Sequence, residues 1–141
     1  VRLHVRAAER KRGEWIEARA GCSLMPDARL IEAVDAEGRT RGMVAYERWT
    51  ENAVQAHMAV DSPIVWRSLL GPAFAYPFQE CGKGVLLAVI PAHNVRSVAL
   101  TRRFGFRETR RIPDGWARGD DLLLFEMTRA ECRHLRNERI H

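Results

Sequence analysis

His57 is the side chain in this sequence best suited to moving a proton, because imidazole titrates near neutrality and accepts a proton directly or through a water. It sits in an alternating run in which Val54, Ala56, Met58 and Val60 share one face and Gln55, His57 and Ala59 share the other. The plainer reading is a satisfied histidine in a half-buried sheet. His93, just before Asn94, either contacts a ligand or stabilises a turn. Asp61 could join these two histidines, but the spacing establishes no ligand set and no metal is expected. Cys22, Cys81 and Cys132 are an odd number and far apart, so they form neither a disulfide framework nor a zinc knuckle. They read as free thiols of a reducing cytoplasm, and no local Cys-His pattern marks a nucleophile. Gly82-Lys83-Gly84 lacks the spacing of a nucleotide loop and precedes a strand, so it reads as a turn. Arg102, Arg103, Arg107, Arg110 and Arg111 either meet phosphate or form a solvated basic face.

Those residues need a scaffold. The chain has 141 residues with 46% hydrophobic and 29% charged, a composition that fits one globular domain, 1–141, and excludes a disordered or fibrous chain. No apolar run reaches the roughly 20 residues of a membrane span, and the opening residues do not form a secretory leader. The net charge of +5 comes from 23 basic and 18 acidic side chains. With no zinc finger or helix-turn-helix, a nucleic-acid partner is the weaker reading of this charge.

Strands are expected at Leu3 to Ala7, Arg29 to Val34, Met43 to Trp49 and Val54 to Val60, with Asp35-Ala36-Glu37-Gly38 turning the second into the third. A helix over Glu9 to Ala20, weakened at Gly13, ends at Gly21. Ser62 and Pro63 start a helical stretch that Gly71-Pro72 and Pro77 break into pieces over 64–79, seated on the sheet by Phe74, Tyr76 and Phe78. Val85 to Ile90 is apolar throughout, which predicts a strand covered on both faces. Asn94 caps a helix from Val95 to Phe104, and Gly105 stops it. Phe106 to Ile112 and Leu122 to Met127 form a last pair turned by Pro113-Asp114-Gly115, and a polar tail, core 3–127 excluded, follows over 128–141. His4, His134 and His141 read as peripheral. The order is an α/β (α+β) arrangement with a mixed sheet of about seven strands and flanking helices.

Asn94, Ser97 and Leu100, closing in Phe104-Gly105-Phe106, resemble the asparagine-to-Gly-Phe signature of the GNAT-superfamily N-acetyltransferases. The order of elements matches that fold across residues 3–127. The turn Ile90-Pro91-Ala92-His93-Asn94 and the Trp66-Arg67 helix are most similar to small GNAT-like proteins of bacteriophages and prophages. The resemblance implies transfer of an acetyl group from acetyl-CoA, as cosubstrate, to a primary amine of a small molecule or protein, by direct attack in a ternary complex. It implies that the fourth and fifth strands splay to admit the pantetheine arm. The cofactor side would be made by the amides of Ile64, Val65 and Trp66 with Arg67 close by, then Ile90, Asn94, Ser97 and Thr101. His57 would be the base, since such enzymes often draw it from this strand. Trp49 and His93 would lie on the substrate side, with Trp66 a further candidate wall and Glu47, Glu51 and Asp61 an acidic rim. The resemblance also implies a homodimer and the cytoplasm of a bacterial host.

Two positions depart from the family pattern. Asp61-Ser62-Pro63-Ile64-Val65-Trp66-Arg67 has no glycine, and Pro63 has no amide. Thr101 stands where many members carry a tyrosine acid. The alternatives are a GNAT-like partner-binding module with little or no catalysis and, further off, a basic nucleic-acid binder.

Overall fold

The structure is a computed structural model that describes residues 2–135. One mixed sheet of seven strands runs in the order β1-β2-β3-β4-β5-β7-β6. The strands are β1 (His4–Ala8), β2 (Arg29–Val34), β3 (Thr40–Glu47), β4 (Ala53–Val60), β5 (Val85–Pro91), β6 (Arg107–Ala117) and β7 (Asp120–Thr128). The helices are α1 (Glu14–Ala20), α2 (Trp66–Ala75) and α3 (Val95–Phe104). All neighbours are antiparallel except β4 and β5.

Period-two patterning divides the sheet cleanly. Val44, Tyr46, Val54, Ala56, Leu86, Ala88 and Phe125 point to the face covered by α2 and α3, where they meet Leu69, Phe74, Phe78 and Phe104. Met43, Ala45 and Leu30 point to the other face, where Ile16 of α1 and Leu24 cover them. Gly42 allows the start of α2 to press on β3, since a Cβ there would lie 2.8 Å from Val65 Cγ1.

α3 has the bounds its caps predict. Asn94 Oδ1 accepts from the Ser97 N–H at 3.2 Å, and Gly105 ends the helix with φ 109°. Glu9 to Ala20 is less regular: a 3-10 turn (Arg10–Gly13) precedes α1, and Gly21 closes it in the left-handed region.

Several expectations are corrected. Pro72 does not break α2, because the buried stripe Leu69, Ala73 and Phe74 holds the helix through it. Only at Pro77 does the coil widen, into a π turn (Tyr76–Glu80). β3 ends at Glu47, so Trp49 lies in the following turn and not in the strand. β5 is covered on one face only: Leu86 is fully buried, while Leu87 on the other face is 36% exposed because α1 does not reach that far. The last hairpin turns at 118–119, and Pro113-Asp114-Gly115 instead forms a bulge within β6, with Asp114 at φ 55° and its Oδ1 accepting from the Gly119 N–H. His134 is not peripheral: its ring stacks on Phe74 at 4.5 Å between centroids. His141 lies outside the described residues.

Candidate active site

β4 and β5 are paired over three positions, Ala53–Val85, Val54–Leu86 and Gln55–Leu87. Beyond them the strands part. β4 stays on β3 as far as Val60, and β5 stays on β7 as far as Pro91, but residues 56–60 and 88–91 do not pair with each other. This leaves a wedge whose two edges carry main-chain groups without strand partners across the gap.

His57 lies two residues past the last pair, on the α1 face of β4. Its side chain is 15% exposed. Nε2 is hydrogen-bonded to Oε2 of Glu47, a carboxylate only 3% exposed. Glu47 Oε1 accepts from the Met25 N–H at 2.7 Å. The acidic-rim reading of Glu47 is therefore corrected: the group is buried and holds the histidine. Sequence reasoning passed over this pairing, although the signal was present. Once the hairpin pairs Ala45 with His57, Glu47 is the diagonal neighbour on the same face. Leu87 was also missed. As the partner of Gln55 it faces the same side as His57, at the foot of the wedge.

Cys22 lies close by. Burial, then the carboxylates of Glu47 and Glu17, pushes its thiol up to about 11, so it stays protonated and is a poor nucleophile at neutral pH.

The residues expected on the cofactor side are divided among several places. Asn94, Ser97 and Thr101 follow one another along a single face of α3, all half-buried. Ile90 is half-buried near the end of β5, in the stretch that pairs with β7 and no longer with β4. Asn94 spends its Oδ1 on its own helix. Before α2 a 3-10 turn (Pro63–Val65) intervenes, and the amides fit a diphosphate only in part. The Val65 N–H donates to Ser62 O at 3.1 Å, and the Trp66 N–H turns back on the Pro63 and Ile64 carbonyls. The Val65 side chain is in the core, and Trp66 packs edge-on against Phe104 at 4.9 Å between centroids. Ile64 and Arg67 are exposed. Asp61 is not a free negative charge at this mouth, since Arg41 Nε donates to it at 2.5 Å.

The two weaker substrate-side candidates do not gather at His57. Trp49 lies past the opposite, paired end of the strands, against Tyr46 at 6.4 Å with the Arg29 guanidinium 5.1 Å from its ring. His93 lies in the turn two residues past the end of β5 at Pro91, well beyond Leu87 at the foot of the wedge. There Asp120 Oδ2 lies 2.5 Å from its Nδ1, and the imidazole is 64% exposed. It stands at the mouth of the wedge, not at its foot. The arginine cluster is largely spoken for: Arg102 pairs with Glu108, Arg107 with Glu126 and Glu131, and Arg111 with Asp121. Among the described residues no group of three or more His, Cys, Asp or Glu is placed to hold a metal ion. No helix of the described residues is long and apolar enough to cross a membrane.

No family model matches the chain, and no curated protein does. Solved structures do. Spermidine/spermine N-acetyltransferase SpeG of Vibrio cholerae, in complex with manganese ions, is similar with a TM-score of 0.73 at 16% identity, over 89% of this chain and 92% of that one. Dodecameric spermidine N-acetyltransferase from the same organism gives 0.73 at 16%, over 91% and 94%. A candidate phosphinothricin N-acetyltransferase gives 0.71 at 18%, over 90% and 98%. The chain has the mixed α/β fold of the GNAT acetyltransferases, a seven-stranded sheet with flanking helices.

Proposed function

We propose that this protein is an N-acetyltransferase that moves the acetyl group of acetyl-CoA to a primary amine. The parting of β4 and β5 directly beside His57 carries the reading. An extended pantetheine arm would enter the wedge as an added strand, bonding to the main-chain edges left unpaired. Its thioester would reach the foot of the wedge, where a β4 amide could stabilise the oxyanion. The amine attacks the thioester carbonyl carbon as its proton passes to His57. The C–S bond then breaks and the electron pair leaves on sulfur. A thiol of pKa about 8.5 needs little help from an acid, so Thr101 in place of a phenol is tolerable.

The fold relatives named for spermidine and spermine suggest a small polyamine as the first acceptor to try. Main-chain amides at Ile64, the Arg67 side chain, Ile90, Asn94, Ser97 and Thr101 would line the cofactor path. Cytoplasmic residence belongs to the same reading and is supported by three unpaired cysteines. A phage or prophage source rests on the Ile90–Asn94 turn and Trp66-Arg67 alone. A homodimer is part of the proposal by family resemblance.

A second reading, a partner-binding module without catalysis, is favoured by one observation: the Val65 and Trp66 amides are already used within their own turn. Calorimetry with acetyl-CoA and a thiol-release assay with spermidine separate the two. The enzyme reading expects binding, and His57→Ala lowering kcat about 10²- to 10⁴-fold at neutral pH with acetyl-CoA affinity unchanged. Absence of binding at millimolar acetyl-CoA supports the binding module.

A further inference from the structure

We infer that Glu47 fixes the tautomer of His57, so that the atom which takes the proton from the acceptor amine is Nδ1. The inference deepens the proposed function and rests on its assignment of His57 as the base. Glu47 is 2% exposed and each of its oxygens has a set partner, Oε1 the Met25 N–H and Oε2 the His57 Nε2. A carboxylate can only accept, so Nε2 must carry hydrogen. The neutral ring then keeps its lone pair on Nδ1, and no group among the described residues bonds to that atom.

The surroundings fit a ring that becomes charged during the reaction. Glu47 on β3 is the carboxylate in contact with it. From the α1 side Glu17 is committed to the Leu24 N–H at 2.8 Å, and the nearby Cys22 thiol is uncharged. An imidazolium formed at His57 therefore sits against a buried negative group that was in place beforehand. Glu47 also joins the ring to the segment between α1 and β2, because the Met25 amide shares its carboxylate. Arg10 holds the same segment through the Leu24 carbonyl at 2.9 Å and the Met25 carbonyl at 3.2 Å. Glu47 is thus a positioning residue: it aims the base and fixes the wall beside it.

Glu47→Gln separates this role from mere packing. Glutamine has one oxygen and one amide nitrogen where glutamate has two acceptors. With the oxygen kept on Met25, the amide faces Nε2, which must then accept. The ring proton moves to Nδ1 and the base atom is blocked. The test is ring ¹⁵N NMR on the full chain near pH 7.5, with steady-state kinetics on the same samples. Expected are an Nε2–H tautomer in the native protein and an Nδ1–H tautomer in Glu47→Gln. In that variant kcat should fall about 10²- to 10⁴-fold with KM for acetyl-CoA unchanged. Glu47→Asp, which keeps the charge, should recover part of the loss. An Nδ1–H tautomer in the native protein overturns the inference, as does Glu47→Gln with unaltered tautomer and turnover. Should Glu47→Gln fail to fold, the native spectrum decides alone. Full activity of His57→Ala would end the base assignment instead, and leaves the tautomer reading to the same spectrum.

Discussion

Arginine supplies 21 of the 23 basic side chains, and the structure shows what many of them do. They clamp carboxylates at the sheet's margins. Arg6 and Arg12 both reach Glu32, whose side chain is 1% exposed. Burial raises the pKa of that carboxyl, but bonds from Thr40, Arg12 and Arg6 outweigh it and hold the group below its ordinary range. At the other end of the sheet Arg107 holds Glu131, whose carboxyl also accepts from the Thr128 N–H and hydroxyl. Arg107 first, then Thr128, brings Glu131 down to about 2. Its folded pKa lies below the unfolded value of about 4.3, so its contribution to stability is complete above that pH and is lost as the pH falls toward 2. Carboxyl-carbon NMR should give Glu131 a midpoint near 2, and Glu131→Gln should shrink the drop in urea midpoint between pH 6 and pH 3. An NMR midpoint near 4.3 would show the clamp absent in solution. The sequence displayed these arginines as a basic run. It could not show that acidic residues from β6, β7 and the following turn meet them, because that is a matter of register.

At the scale of elements, local signals were readable and remote ones were not. The span of α3 followed from Asn94 and Gly105, whose cap geometries are local chemistry. The wedge followed only from resemblance, since nothing in Val54 to Val60 or Val85 to Ile90 says where pairing stops. Glu47 on His57 needed the β3–β4 register, and the one-sided cover of β5 needed to know how far α1 extends. The helix after the wedge shows a long-range rescue. Pro77 has no N–H to give the carbonyl of Ala73 four residues before it. The phenol of Tyr46, fully buried on β3, donates to that oxygen at 2.5 Å instead. Burial, first among the causes, keeps the phenol well above its ordinary pKa and so protonated. Tyr46→Phe should strand the Ala73 carbonyl and cost about 1–3 kcal/mol in chemical denaturation. Adding Pro77→Ala restores an N–H at the right position, and the double variant should be more stable than Tyr46→Phe alone. A double variant no more stable than the single one would show that the phenol does not substitute for the missing amide.

The whole molecule is built unevenly, and that bears directly on function. One face of the sheet is closed by α2 and α3 over β2 to β5 and β7, while α1 covers only the β2–β4 side of the other. Over β5 and β7 that second face is left half-open at Leu87, Val89, Leu122 and Leu124. Under the proposed function, the acceptor amine would reach His57 from the α1 face, beside Leu87, and the cofactor arm would come down the wedge from the end at which His93 and the start of α2 stand. Two reactants that entered by these separate routes would meet at the last β4–β5 pair, as the proposed direct transfer requires. Hydrogen exchange offers a test that does not depend on knowing the acceptor. Without ligand, amides in 56–60 and 88–91 that face the gap should exchange fast, because no strand partner crosses it. With acetyl-CoA at about 100 times its Kd, exchange that requires the arm to leave should slow about 100-fold. Slowing should centre on these two segments and the start of α2, and spare the α1 amides. Protection that appears elsewhere while both segments remain fast would mean that the cofactor does not use the wedge.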